Sequence, residues 1–298
     1  MKKYYYCLIT GIIFFINAYA QSKIVVFQSD FGLKDGAVSA MKGVAMGVDT
    51  GLKLFDLTHE IPAYNIWEAA YRLEQTVPYW PAGTVFVSVV DPGVGTSRRS
   101  VVLKTNAGHY IVTPDNGTLT LIAASEGIAA IREIDEAVNR RKGSERSYTF
   151  HGRDVYAYTG ARLAAGTISF EQVGKLLPNE VVQVPYQQAV AEGKKLKGTI
   201  AILDIQYGNI WTNIPADLFK QLDPKTGDLI HVKIFHNKIK VYESDMPYME
   251  TFGGVAKGKP LAYLNSLLQV SFALNQGSFS NVHHVYSGSD WTVEVTKK

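Results

Sequence analysis

Cysteine is almost missing from this chain. The one cysteine among 298 residues, Cys7, lies in the first twenty, "MKKYYYCLITGIIFFINAYA". That segment has a basic start (Lys2, Lys3), an apolar stretch and an Ala18-Tyr19-Ala20 end, the grammar of a secretory signal peptide cleaved after Ala20. A retained membrane anchor is the alternative, although the apolar stretch is short for a span. Cys7 also lacks the preceding small residues of a lipidated cysteine. Cleavage implies an exported, periplasmic or secreted protein with no disulfide, thiol nucleophile or thiolate metal site.

Charge of one sign is also scarce. Thirty basic side chains stand against 27 acidic ones, a formal net of +3, and loss of Lys2 and Lys3 with the leader lowers it to +1. That balance favours neither nucleic acid nor a membrane surface as partner. No internal repeat or low-complexity tract occurs. No HxH, DxH or HExxH spacing suggests a metal centre, and no GxSxG elbow suggests a serine nucleophile.

What is present is a globular composition, 46% hydrophobic and 19% charged. After the leader (1–20), "KIVVFQS", "LKLFDLT", "GTVFVSVV" and "HYIVT" read as buried strands. "DGAVSAMKGVAMGV", "NIWEAAYRLEQTVPYW" and "DVYAYTGARLAAG" carry helical spacing. This alternation predicts an α/β domain over 21–190, with a mostly parallel sheet covered by helices. The polar segment "QQAVAEGKKLKG" marks a boundary. Beyond it, "GTIAILDIQYGNIWTNI", "HVKIFHNKIKVYES" and "WTVEVTK" predict a smaller antiparallel β domain over 191–298.

Each expected strand of the first domain runs into a polar cluster: Asp30 in "SDFG"; Asp56, His59 and Glu60 in "DLTHE"; Asp91 and Arg98 in "DPGVGTSRR"; Asp115 and Asn116 in "PDNGT". "TFHGRD" adds His151, Arg153 and Asp154 before a helix. Ligands of open α/β sheets collect at such strand ends. Any single cluster is ordinary turn or cap chemistry, but five together favour a site. A two-metal hydrolase using Asp30, Asp91, Asp115 and His151 is one reading, and Arg98 beside a dication opposes it. A metal-free site that orients water with an acid, a guanidinium and an imidazole fits the residue types best.

The motifs "SDFGLKDGAVSAMKG", "DLTHEIP", "DPGVGTSRRS", "PDNGTLT", "FHGRDVYA", "LDIQYGNIWTNI" and "YLNSLLQ...ALNQGSF" occur in this order. Together they resemble the S-adenosylmethionine hydroxide adenosyltransferases, which are related to the nucleophilic fluorinases and chlorinases. The resemblance implies two domains, a homotrimer with sites between subunits, and no cofactor, with S-adenosyl-L-methionine as substrate. It implies displacement at ribose C5′ by water or hydroxide, giving adenosine and L-methionine. It places the hydrolytic triad on Asp91, Arg98 and His151.

The same resemblance assigns the ribose hydroxyls to Asp30 and an aromatic wall to Tyr64. Asp204 takes the methionine ammonium, Ser266 its carboxylate and Asn209 the adenine, with Tyr207 and Phe252 as stacking walls. Tyr207 and Phe252 are also ordinary core residue types. Leu267 stands where halogenases carry an arginine, and Leu268 where glycine is common. Halogenases lack the triad side chains, so the resemblance favours hydrolysis. A chloride-dependent adenosyl transferase and an exported adenosyl-compound binding protein are the alternatives.

Overall fold

The computed structural model describes residues 22–298, and the expected leader lies outside the described residues. Along β1 (Ile24–Ser29) side chains alternate between two cores. Val25 and Phe27 pack with Met41, Ala45 and Leu163, while Val26 packs with Leu73, Val77, Leu119 and Ile122. A strand buried on both faces in this way belongs inside a helix-sheet-helix sandwich.

The first sheet contains β1, β2 (Lys53–Thr58), β3 (Val85–Val89), β4 (Ser100–Thr105), β5 (Tyr110–Pro114), β6 (Ile128–Glu133) and the short β7 (Leu176–Leu177). Their spatial order is β2-β1-β3-β5-β4-β6-β7. The helices are α1 (Ala37–Val48), α2 (Ile66–Thr76), α3 (Thr120–Glu126) and α4 (Glu136–Asn139). A run of wide π turns over Gly152–Ala157 then continues into α5 (Tyr158–Ala165).

The expected α/β architecture is therefore present, and its sheet is mixed. The pairs among β2, β1, β3 and β5 are parallel, whereas β4, β6 and β7 join antiparallel. The additional strand "SVVLKT" forms a hairpin with β5 through the turn at Thr105–His109. There the Thr105 N–H donates to the His109 carbonyl, the His109 N–H donates to Thr105 Oγ1, and Gly108 takes φ +90°. This insertion returns the chain past the end of β3 and so brings Arg98 back toward Asp91.

Helix α5 lies directly on β3. A Cβ at Gly160 would stand 2.6 Å from Val87 Cγ2, so only glycine permits that approach. The close seating sets the height of His151, seven residues before α5, against the carboxyl end of β3.

The second sheet is antiparallel throughout. It comprises β8 (Val190–Glu192), β9 (Lys195–Asp204), β10 (Asn209–Pro215), β11 (Leu229–His236), β12 (Ile239–Pro247), β13 (Pro260–Leu264), β14 (Gln269–Leu274) and β15 (Trp291–Lys297). The order is β12-β11-β15-β9-β10-β14-β13, with β8 on β9. Helix α2 meets the second sheet where Trp67 Nε1 donates to the Ala201 carbonyl of β9 at 2.7 Å, within a buried cluster that also holds Tyr71 and Ile202. Among the described residues no helix is long and apolar enough to cross a membrane.

Candidate active site

Asp91 follows the carboxyl end of β3, Arg98 precedes β4, and His151 caps the π-turn run. The fold brings all three into contact. Arg98 Nε donates to both carboxylate oxygens of Asp91 at 2.9 and 3.1 Å, and its Nη2 donates to Oδ2 at 2.6 Å. The same Nη2 lies 2.9 Å from His151 Nδ1, and Nη1 donates to Ser100 Oγ at 3.0 Å. The Arg98 and Asp91 side chains are only 10% and 5% exposed, so their charges survive burial by satisfying each other. Burial opposes the charge on Arg98, but Asp91 outweighs it and strengthens the guanidinium's hold on its proton.

Four neighbours complete this cluster: Ser100 and Tyr156, which lie within the "DPGVGTSRRS" and "FHGRDVYA" motifs, and Glu136 and Arg140, which lie in none of the motifs. Tyr156 Oη lies 3.4 Å from Asp91 Oδ2 and 3.2 Å from Ser100 Oγ, beneath the Arg98 guanidinium. Burial pushes its hydroxyl pKa up and keeps it protonated. Glu136 and Arg140 form an ion pair one helical turn apart, and Arg140 Nη2 lies 3.1 Å from His151 Nε2. Burial lowers the His151 pKa below the ordinary imidazole value. Arg98 and Arg140 push the same way, while Glu136 and Asp91 oppose them. The resting imidazole is neutral and able to accept a proton.

Asp30 lies beside this cluster. The next residue, Phe31, meets Phe150 edge-on at 5.8 Å and would touch any Cβ placed at Gly152. Asp30 Oδ2 accepts the Tyr64 backbone N–H at 2.9 Å, which leaves carboxylate lone pairs open for hydroxyl donors. Tyr64 is held at φ +68°, a costly conformation for a bulky residue, and the residue is 72% exposed. Behind Asp30, Ser29 Oγ, His59 and Asp56 form a chain with links of 2.7 and 2.9 Å, and Lys42 closes its end at 2.6 Å.

The remaining expected residues lie elsewhere. Asp204, Tyr207, Asn209 and Phe252 line a separate cleft of about 840 Å³ in the second unit. There Asn209 Nδ2 donates to Asp204 Oδ2 at 3.1 Å. Ser266 lines a third cleft at the junction of the two units, with Ile205, Leu267 and Glu60. Leu268 keeps the left-handed turn a glycine would adopt, at φ +56°. Asp115 and Asp154 are structural: Asp115 binds Arg99 and the Val182 N–H, and Asp154 binds Arg153 and Arg141. Among the described residues no three His, Cys, Asp or Glu side chains group as a metal site.

Two family profiles match the chain, that of the SAM hydroxide adenosyltransferase N-terminal domain over residues 25–174 and that of its C-terminal domain over 198–292. The chain belongs to the SAM hydroxide adenosyltransferase family. One relative is the (R)-S-adenosyl-L-methionine hydrolase of Methanocaldococcus jannaschii, 38% identical over 72% of this chain and 74% of its own. Another is the fluorinase of Actinopolyspora mzabensis, 28% identical over 92% of this chain and 97% of its own. A crystal structure of an uncharacterized conserved protein from Thermotoga maritima superposes with a TM-score of 0.83 at 35% identity. It covers 91% of this chain and 99% of its own. As a SAM hydroxide adenosyltransferase, the chain carries the Asp91 cluster within its N-terminal family domain and the Asp204 cleft within its C-terminal one.

Proposed function

We propose that this protein hydrolyses S-adenosyl-L-methionine at ribose C5′, releasing adenosine and L-methionine. The observation that carries this reading is the buried contact of Asp91, Arg98 and His151, a charge-paired acid and guanidinium beside a neutral imidazole. The oxygen of water forms the new bond to C5′. The C5′–S bond breaks with its electron pair passing to sulfur, so the sulfonium leaves as a neutral thioether. One water proton passes to the cluster. Holding the water in line supplies several kcal/mol, and proton acceptance contributes a further ~10²–10⁴-fold.

In this reading Asp30 accepts from the ribose hydroxyls, Tyr64 walls the sugar, and Asn209, Tyr207 and Phe252 hold the adenine. Asp204 and Ser266 hold the amino-acid end. These groups lie in three separate places within one chain, and Tyr64, Tyr207 and Phe252 are 72%, 67% and 42% exposed. That division supports a homotrimer whose sites pair the first unit of one subunit with the second unit of its neighbour. The reaction proceeds without metal or cofactor, on an exported protein freed of residues 1–20.

A halide at this position would sit against the Asp91 carboxylate, a like-charge contact that disfavours the halogenase reading. Product analysis tests the assignment. Adenosine and methionine should appear in chloride-free buffer and in excess chelator at an unchanged rate. Strict chloride dependence with a 5′-chloro product, or loss of turnover on chelation, contradicts the proposal.

A further inference from the structure

His151 is faced by a cation at both ring nitrogens: Arg98 at Nδ1 and Arg140 at Nε2. A guanidinium offers only donors, whereas an imidazolium carries N–H on both nitrogens and has no lone pair to offer. The neutral ring has one lone pair and accepts from one arginine. The double arginine contact therefore selects the uncharged ring.

Arg98 cannot leave, since Asp91 and Ser100 hold it. Arg140 is tied to Glu136, donates to the Ser147 carbonyl at 3.1 Å and lies over the Tyr148 ring. These contacts aim it at Nε2 from the segment that leads into His151.

We propose that Arg140, held by Glu136, is a positioning residue that closes the Nε2 side of His151 and keeps the imidazole uncharged to receive the proton of the attacking water. The inference rests on the hydrolase reading. The ionisable groups facing the ring are Asp91 and Arg98 from the β3–β4 loop, Glu136 and Arg140 from α4 and its end, and Tyr156 from the π-turn run. Both carboxylates are already engaged by arginines, with Glu136 Oε1 4.0 Å from Nδ1.

The test is the pH profile of kcat and KM for the full-length protein, together with an NMR titration of His151. A group that must be neutral loses activity as pH falls through its own titration, so the wild-type acid limb is expected below pH 6.5. Removing a neighbouring cation favours the protonated ring. In Arg140→Gln, the limb and the NMR midpoint should move up together. The loss of kcat should reach about tenfold at the acid end and vanish on the alkaline side, with KM within about twofold.

Arg140→Lys keeps the charge and should restore the wild-type limb. Glu136→Gln removes an opposing carboxylate and should move the limb down, which keeps the inference testable if Arg140→Gln does not fold. Equal loss at every pH, or an unmoved midpoint, overturns the inference. The NMR midpoint needs no turnover. A wild-type protein that leaves S-adenosyl-L-methionine intact therefore sinks the hydrolase reading, while the test of the His151 environment stands.

Discussion

Arg98 and His151 are 53 positions apart, and their contact depends on three local facts. A strand end releases Asp91, a tight return places Arg98, and the π-turn run presents His151. The types and order of these residues were legible in "DPGVGTSRR" and "FHGRD". Glu136 and Arg140 were not, because "EAVNRRKGSERS" reads as a solvated charged stretch with no period linking it to a histidine. Only the tertiary return of that segment makes its charges part of the site. His151→Ala is expected to lower kcat by ~10²–10⁴-fold while affinity for S-adenosyl-L-methionine, measured by calorimetry, changes only a few-fold. Loss of affinity in parallel would make His151 a recognition residue. Asp91→Ala should also cost about 3–5 kcal/mol in denaturant unfolding, since it strands a buried guanidinium. Full stability in that variant would show that Arg98 finds another partner.

Periodicity identified four strands of the first sheet, the helices α1, α2 and α5, and the antiparallel strands β9, β10, β11, β12 and β15. It missed "SVVLKT" because that run directly follows two arginines and is joined to the next strand by a four-residue turn, so no helix separates them. The π turns over Gly152–Ala157 were equally hidden, since their apolar spacing matches an ordinary helix start. Such wide turns are rare and concentrate at functional sites, which suits the placement of His151. Helix α5 approaches β3 most tightly at Gly160. Gly160→Ala is expected to destabilise the protein by about 1–3 kcal/mol in denaturant melts, through overpacking on Val87. An unchanged midpoint would mean that α5 has slack against the sheet, and the height of His151 would then need another cause.

At the scale of the whole molecule, one chain carries the water-orienting cluster and the adenine-side cleft in different units. Mixing subunits tests whether neighbours complete each other's sites. His151→Ala and Asp204→Ala proteins, each inactive alone, should recover about a quarter of wild-type activity when co-assembled in equal amounts, because one site in four draws both intact halves. No recovery in mixed assemblies would place each site within a single chain. The central claim is that water itself is the nucleophile at C5′. The most direct measurement is mass spectrometry of products formed from S-adenosyl-L-methionine in ¹⁸O-labelled water. The account predicts adenosine carrying one ¹⁸O at the 5′ position, with unlabelled methionine. Unlabelled adenosine, or a 5′-halo product, would contradict it.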